Sequence, residues 1–221
     1  MSFPDSVYGK PGWEKVLTSD QRHKLGTRMS FADGRAYRYA LVAGAEIAAG
    51  RLVQAPATDA ADDMDLAWAS GAAVGGTTIT TGTSLTITKD QYKEGWLYVN
   101  DDAGEGCIYP IKSNTAVSSA TGCEFTIDEE DGFSIALTST SSLFGVLYNI
   151  YDSVIVQPTT ITNAAVGVSP TTMTANYYGW LQTWGPCALL DTGASWVVGD
   201  QLASAETGAA GAAILLDSSG A

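Results

Sequence analysis

At 221 residues, with 45% hydrophobic and only 16% charged side chains, the chain can bury one ample core or two small ones and is too apolar to be disordered. Its net charge of −13 argues against nucleic acid and anionic lipid as partners of the body. No apolar run approaches the roughly 18 residues of a membrane span, and MSFPDSVYGKPGWEK contains no apolar h-region, so no secretory signal is read and folding in a cytoplasm is expected.

The charge is unevenly spread. Residues 1–51 carry eight of the 11 basic and five of the 24 acidic groups, a net +3, and the other 170 residues carry a net −16. A mildly basic front end suits docking on an acidic neighbour, including another copy's body; simple solvation of those residues is the competing reading.

Pro4, Gly9, Pro11 and Gly12 interrupt residues 1–30, which keep neither a helical nor a strand period. We read them as an extended arm in which Phe3, Tyr8 and Trp13 are apolar anchors that need burial on the body or on a partner. Residues 31–221 form the expected body, with a subdomain boundary placed near 140–160. Asp33-Gly34 signals a turn, after which Tyr37, Tyr39 and Leu41 alternate with Arg38 as in a strand. Short strands are expected through Leu52 and Val53, through Met64, Leu66 and Trp68, and on both sides of Gly82 in TTITTGTSLTITKD. A short turn of helix is expected near Asp90 to Lys93. Trp96–Val99 and Cys107–Ile111 read as a hairpin around Asn100–Gly106. Phe125 and Ile127 begin another pair that returns, after an acidic turn, through Phe133, Ile135 and Leu137. SLFGVLYNIYDSVIVQP supplies one or two further strands, and YGWLQTWGPC (Tyr178–Cys187) a late one. The expected fold is all-β, a sandwich or irregular barrel with an extended N-terminal arm.

No catalytic constellation emerges. The single histidine, His23, lies in the arm and reads as solvated. There is no G-x-S-x-G elbow, Walker lysine or dinucleotide fingerprint, so no catalytic residue and no cofactor is expected. The acidic clusters Asp62-Asp63-Asp65, Asp101-Asp102-Glu105 and Asp128–Asp131 could in principle offer oxygens to Ca²⁺ or a glycosidase carboxylate pair. Solvated turns are the preferred reading, and no metal site is expected. Cys107, Cys123 and Cys187 lack metal-ligand spacing and are read as reduced thiols. In YGWLQTWGPC, strand alternation puts Tyr178, Trp180, Gln182 and Trp184 on one side. An exposed ladder of that kind would suit sugar rings, but with only Gln182 to hydrogen-bond a sugar, a buried wall or a subunit interface is preferred.

The stretches GRAYRYALVAGAEIAAGRLVQAP, KDQYKEGWLYVNDDAGEGCIYPIKSN, SVIVQP, VGVSP, YYGWLQTWGPCALL and VVGDQLASAETGAAGAA resemble virion structural proteins of tailed bacteriophages over about half the chain. The resemblance is one of phrase and order and includes no catalytic signature. It implies a non-enzymatic decoration (cement) protein on the capsid exterior, assembled in the host bacterial cytoplasm. Its partners would be the major capsid protein and other copies of itself, with a trimer the expected state, and neither nucleic acid nor membrane. Phe3, Tyr8, Trp13, Arg22, Arg28, Trp180 and Trp184 are the expected interface residues. A head–tail or tail component and a carbohydrate-binding or hydrolytic β module are the alternatives.

Overall fold

The computed structural model describes residues 6–58, 64–138, 142–192, 197–205 and 208–216. The chain divides into two compact units, one made of Met1–Ala57 with Ile150–Ala221 and the other of Thr58–Asn149. The second unit is thus an insertion in the sequence of the first.

The fold is all-β, and a single 3₁₀ turn at Trp13–Lys15 is the only helical element among the described residues. Strands β1 (Ser6–Tyr8), β2 (Arg28–Ser30), β3 (Ala36–Leu41) and β4 (Leu52–Gln54) open the first unit. The second holds β5 (Leu66–Ala67), β6 (Thr78–Thr80), β7 (Leu85–Ile87), β8 (Trp96–Asp101), β9 (Ile108–Asn114), β10 (Val117–Ala120), β11 (Glu124–Ile127) and β12 (Leu143–Leu147). The chain then returns to the first unit with β13 (Ile155–Val156), β14 (Ala165–Val168), β15 (Tyr178–Trp184), β16 (Leu202–Ser204) and β17 (Ala213–Leu215).

The first unit is built on a seven-stranded sheet in the order β1-β2-β3-β15-β14-β4-β13, with a separate β16–β17 pair. All the strand pairings of this sheet are antiparallel except β1 with β2. The backbone of residues 6–30 is extended where β1 and β2 run, as an arm would be, but it is hydrogen-bonded into this sheet, with Ser6 opposite Arg28 and Tyr8 opposite Ser30. The turn from β2 to β3 is made by Asp33 and Gly34. Asp33 accepts the Arg35 backbone N–H at 3.0 Å and its Nε–H at 2.8 Å, while Gly34 takes a φ of +87° that a side chain would resist.

Long-range pairing puts β15 in the middle of the sheet, and both of its faces are covered. Trp180 joins Tyr37, Tyr39, Met29 and Phe31 on one side, and Leu181 joins Ala40, Val42, Ile47, Val53 and Met173 on the other. A strand buried on two faces loses the clean alternation of a half-exposed one.

In the second unit a six-stranded antiparallel sheet runs β5-β12-β8-β9-β11-β6, beside a β10–β7 pair. The expected hairpin is β8–β9. The core is a layer of rings and branched chains in which Trp68 lies 4.3 Å from Phe144 between centroids, and Tyr109 meets Phe133 edge-on at 4.9 Å. Gly145 in β12 is required by packing, since a Cβ there would stand 2.3 Å from the Tyr98 ring and hydroxyl.

Two expectations fall short here. Residues 133–137 form no strand: Phe133 and Leu137 are buried and bond to Gly76 and Ala72 (N–H to O, 2.8 Å each), but only an isolated bridge forms, at Leu137, and Val74 and Ile135 are exposed. Residues 90–93 form a hydrogen-bonded turn rather than helix, because Asp90 sits at φ +59°. Among the described residues no helix is long and apolar enough to cross a membrane.

Phe144 is fully buried at the centre of the second unit. Phe144→Ala is expected to cost about 3–5 kcal/mol and to lower the unfolding midpoint by on the order of 10 °C, read by calorimetry.

Candidate functional site

The aromatic face of the first unit leads to the site. Tyr39 on β3 and Trp180 on β15 are cross-strand partners, with ring centroids 5.0 Å apart, and Tyr178 stacks on Tyr39 at 5.8 Å. The segment after the 3₁₀ turn is strapped over these rings. Thr18 exchanges two backbone hydrogen bonds with Tyr178 (N–H to O, 3.0 and 2.8 Å), and the Tyr39 hydroxyl accepts the Arg22 backbone N–H at 3.1 Å. Thr18 Oγ1 lies 3.2 Å from that same hydroxyl and donates to the Asp20 carbonyl at 2.8 Å.

Strap and rings enclose a cavity of about 210 Å³, lined chiefly by Trp13, Val16, Arg22, His23, Tyr39 and Trp180. Trp13 is 47% exposed at its mouth and Trp180 only 6% exposed. The Arg22 side chain is solvated and lies 3.8 Å from an equally solvated Asp20, a pairing of little energetic weight. Such a cavity accepts one apolar or aromatic group and offers a cation at its rim.

His23 does not stand in solvent as expected. Its ring meets Tyr39 edge-on at 5.1 Å and Trp180 at 5.3 Å, and its Nδ1 is buried with no hydrogen-bond partner among the described residues. Burial holds its pKa below the ordinary value of 6.5, so the neutral ring is favoured. Its neighbours in the sequence are polar, and only the fold of the strap over β3 and β15 places it between rings.

Of the residues expected at an interface, Trp13, Arg22 and Trp180 meet around this one cavity. Tyr8, 89% exposed, and the exposed Arg28 lie on the adjoining paired strands β1 and β2. Phe3 lies outside the described residues. Trp184 lies apart, 72% exposed. The register against β3 shifts between Gln182 and Trp184, so the simple alternation that grouped Trp184 with Trp180 breaks there. Tyr39, Val16 and Thr18 were missed; the period of β3 marked Tyr39 only as a strand residue, and nothing local marks the other two.

The acidic clusters stay on separate turns. No three His, Cys, Asp or Glu side chains gather as a metal would require among the described residues, and Asp62 and Asp63 lie outside them. All three cysteines are free: Cys187 exposed, Cys107 partly buried, and Cys123 buried, its Sγ–H donating to the Thr115 carbonyl at 3.2 Å. Desolvation pushes the Cys123 thiol pKa up, away from thiolate chemistry.

No protein-family model matches the chain, and neither a curated protein nor a solved structure matches it.

The two tryptophans of YGWLQTW should respond differently. Trp180→Ala is expected to cost about 3–5 kcal/mol and Trp184→Ala within about 0.5 kcal/mol, measured side by side as thermal unfolding.

His23 also gives stability a pH signature. Its folded pKa is lowered, so as pH falls the unfolded chain takes up the proton first. Stability is therefore full above the ordinary value of 6.5 and declines as pH drops from there through the lowered folded value. It is the chain's only histidine, so His23→Phe, which keeps a ring in place, should flatten this part of the midpoint-versus-pH curve. The difference between the two proteins isolates the contribution of this one ring.

Proposed function

We propose that this chain is a non-enzymatic structural protein of a tailed-bacteriophage virion that binds the outside of the capsid and stabilises it. The resemblance of its strand phrases to such proteins supplies the class. The observation that carries the docking mode is the cavity where Trp13, Arg22 and Trp180 meet, at the basic end of an acidic chain.

The chemistry of that end is consistent with a protein partner. Lys15 lies in the 3₁₀ turn with Trp13, and Lys24 follows His23; both are exposed and add positive charge to the segment that carries the cavity. A complementary surface would place one apolar side chain in the cavity and carboxylates around it. The major capsid protein is the proposed donor of both. Aromatic and arginine residues at the centre of a contact carry most of its energy, while rim charges mainly steer encounter.

Capture by intact, undecorated heads tests the reading. Trp13→Ala and Arg22→Glu should each weaken head binding by about tenfold or more without lowering the unfolding midpoint. Added salt should weaken the wild type and have less effect on Arg22→Glu. Heads that bind both variants as well as the wild type overturn this docking mode. Retention on isolated tails or polysaccharide instead of heads would point to a tail component or a carbohydrate-binding module. Deletion of residues 1–30 would be a poor substitute, because it removes two strands of the sheet.

A further inference from the structure

A second feature of the first unit lies at the other end of β15. Strands β14 and β15 pair at one position only, Val168 with Gln182. A continued ladder would set Gly167, Val166 and Ala165 opposite Thr183, Trp184 and Gly185. Instead these six residues line an open cleft of about 620 Å³. Gly167, at φ +154°, lets the strands touch where they do meet, since a Cβ there would lie 2.9 Å from the Gln182 carbonyl oxygen.

Trp184 stands at the edge of this cleft, and its turn is held from beneath. The buried Gln182 side chain donates through Nε2 to the carbonyl oxygens of Trp184 at 3.2 Å, Gly185 at 3.4 Å and Pro186 at 2.7 Å. A buried amide thus fixes the backbone that presents an exposed indole, and little ordering entropy remains to be lost when that indole is covered.

We propose that the covering partner is a second copy of the chain, with each Trp184 seated in the cleft of the other about a twofold axis. Charge is the first argument. The chain carries −13, so two copies repel, and a contact free of local charge adds least to that repulsion; none of the described residues lining this cleft is charged. Shape is the second. A projecting aromatic beside a cleft larger than one aromatic side chain is self-complementary, as a twofold interface requires. A reciprocal pair, in place of the trimer expected from the resemblance, satisfies knob and cleft of both copies at once. Two indoles bury on the order of 300–500 Å², a minor part of the roughly 1,200–2,000 Å² of a standard interface, so a weak, concentration-dependent association is expected.

Sedimentation and light scattering of the intact chain, from roughly 1 μM to roughly 1 mM, test this. The wild type should pass from monomer to twice the monomer mass. Trp184→Ala and Ala165→Arg, both at exposed positions, should remain monomeric with unchanged unfolding midpoints. Salt should strengthen the pair by screening like charges. Cys187, on the cleft wall, should react more slowly with a maleimide as the wild type pairs and at one rate throughout in Trp184→Ala. A wild type that stays monomeric, a trimer mass, or an oligomer that both variants retain would overturn the proposal. Arg22→Glu should pair like the wild type, so failure here and failure of the head-binding reading are distinguishable.

Discussion

Trp180 and Tyr39 face each other across β15 and β3 with their rings 5.0 Å apart, and the first unit is arranged around that contact. Both faces of this central strand carry large apolar side chains, so the aromatic side needs a cover that the sheet itself does not provide. Residues 13–24 supply it by crossing over the rings, pinned by the Thr18–Tyr178 bridge and by the Tyr39 hydroxyl. A cover made from a short irregular segment does not close as tightly as a second sheet. The cavity between Trp13, Arg22 and Trp180 is the space left between strap and sheet. The same geometry puts His23 between rings, where its charged form is disfavoured.

The legible parts of the fold were those in which one face alone is buried. β8 and β9 alternate around a turn rich in glycine and aspartate, and Phe125 and Ile127 point inward from β11. Period-two reasoning works there because the sheet pleat decides which side chains go in. It weakened where the environment is two-sided or irregular. β15 buries Gly179, Trp180, Leu181 and Gln182 in succession, so its alternation carried no information about which face met the core. Phe133, Ile135 and Leu137 alternate as a strand would, but only the two ends find a partner. β10, Val117–Ala120, is short and largely exposed, with serines at its centre, and left no hydrophobic signature at all.

The candidate site was legible as a set of residue types rather than as a place. Trp13 and Arg22 stood out as an anchor and a cation in a basic segment, and Trp180 as a packed aromatic. Their meeting depends on pairings across more than 150 residues, such as Thr18 with Tyr178, for which no local pattern exists. Phe3 lies outside the described residues; of the other two aromatics expected as anchors, Trp13 lines the cavity and Tyr8 is exposed.

YGWLQTW therefore performs two different physical tasks within one strand. Up to Gln182 the register with β3 is regular, and Trp180 and Leu181 are driven into opposite faces of the core. At Thr183 the register shifts, and the hydroxyl there donates to the Ala36 carbonyl at 3.3 Å, tying the irregular residue back to β3. Gln182 then turns its amide to the carbonyls that follow, which the splayed β14 does not engage. A leucine at 182 would fill the same buried volume but leave those carbonyls without a donor, and the turn would lose its fixed shape. The buried amide of Gln182 is thus what separates a core tryptophan from a displayed one.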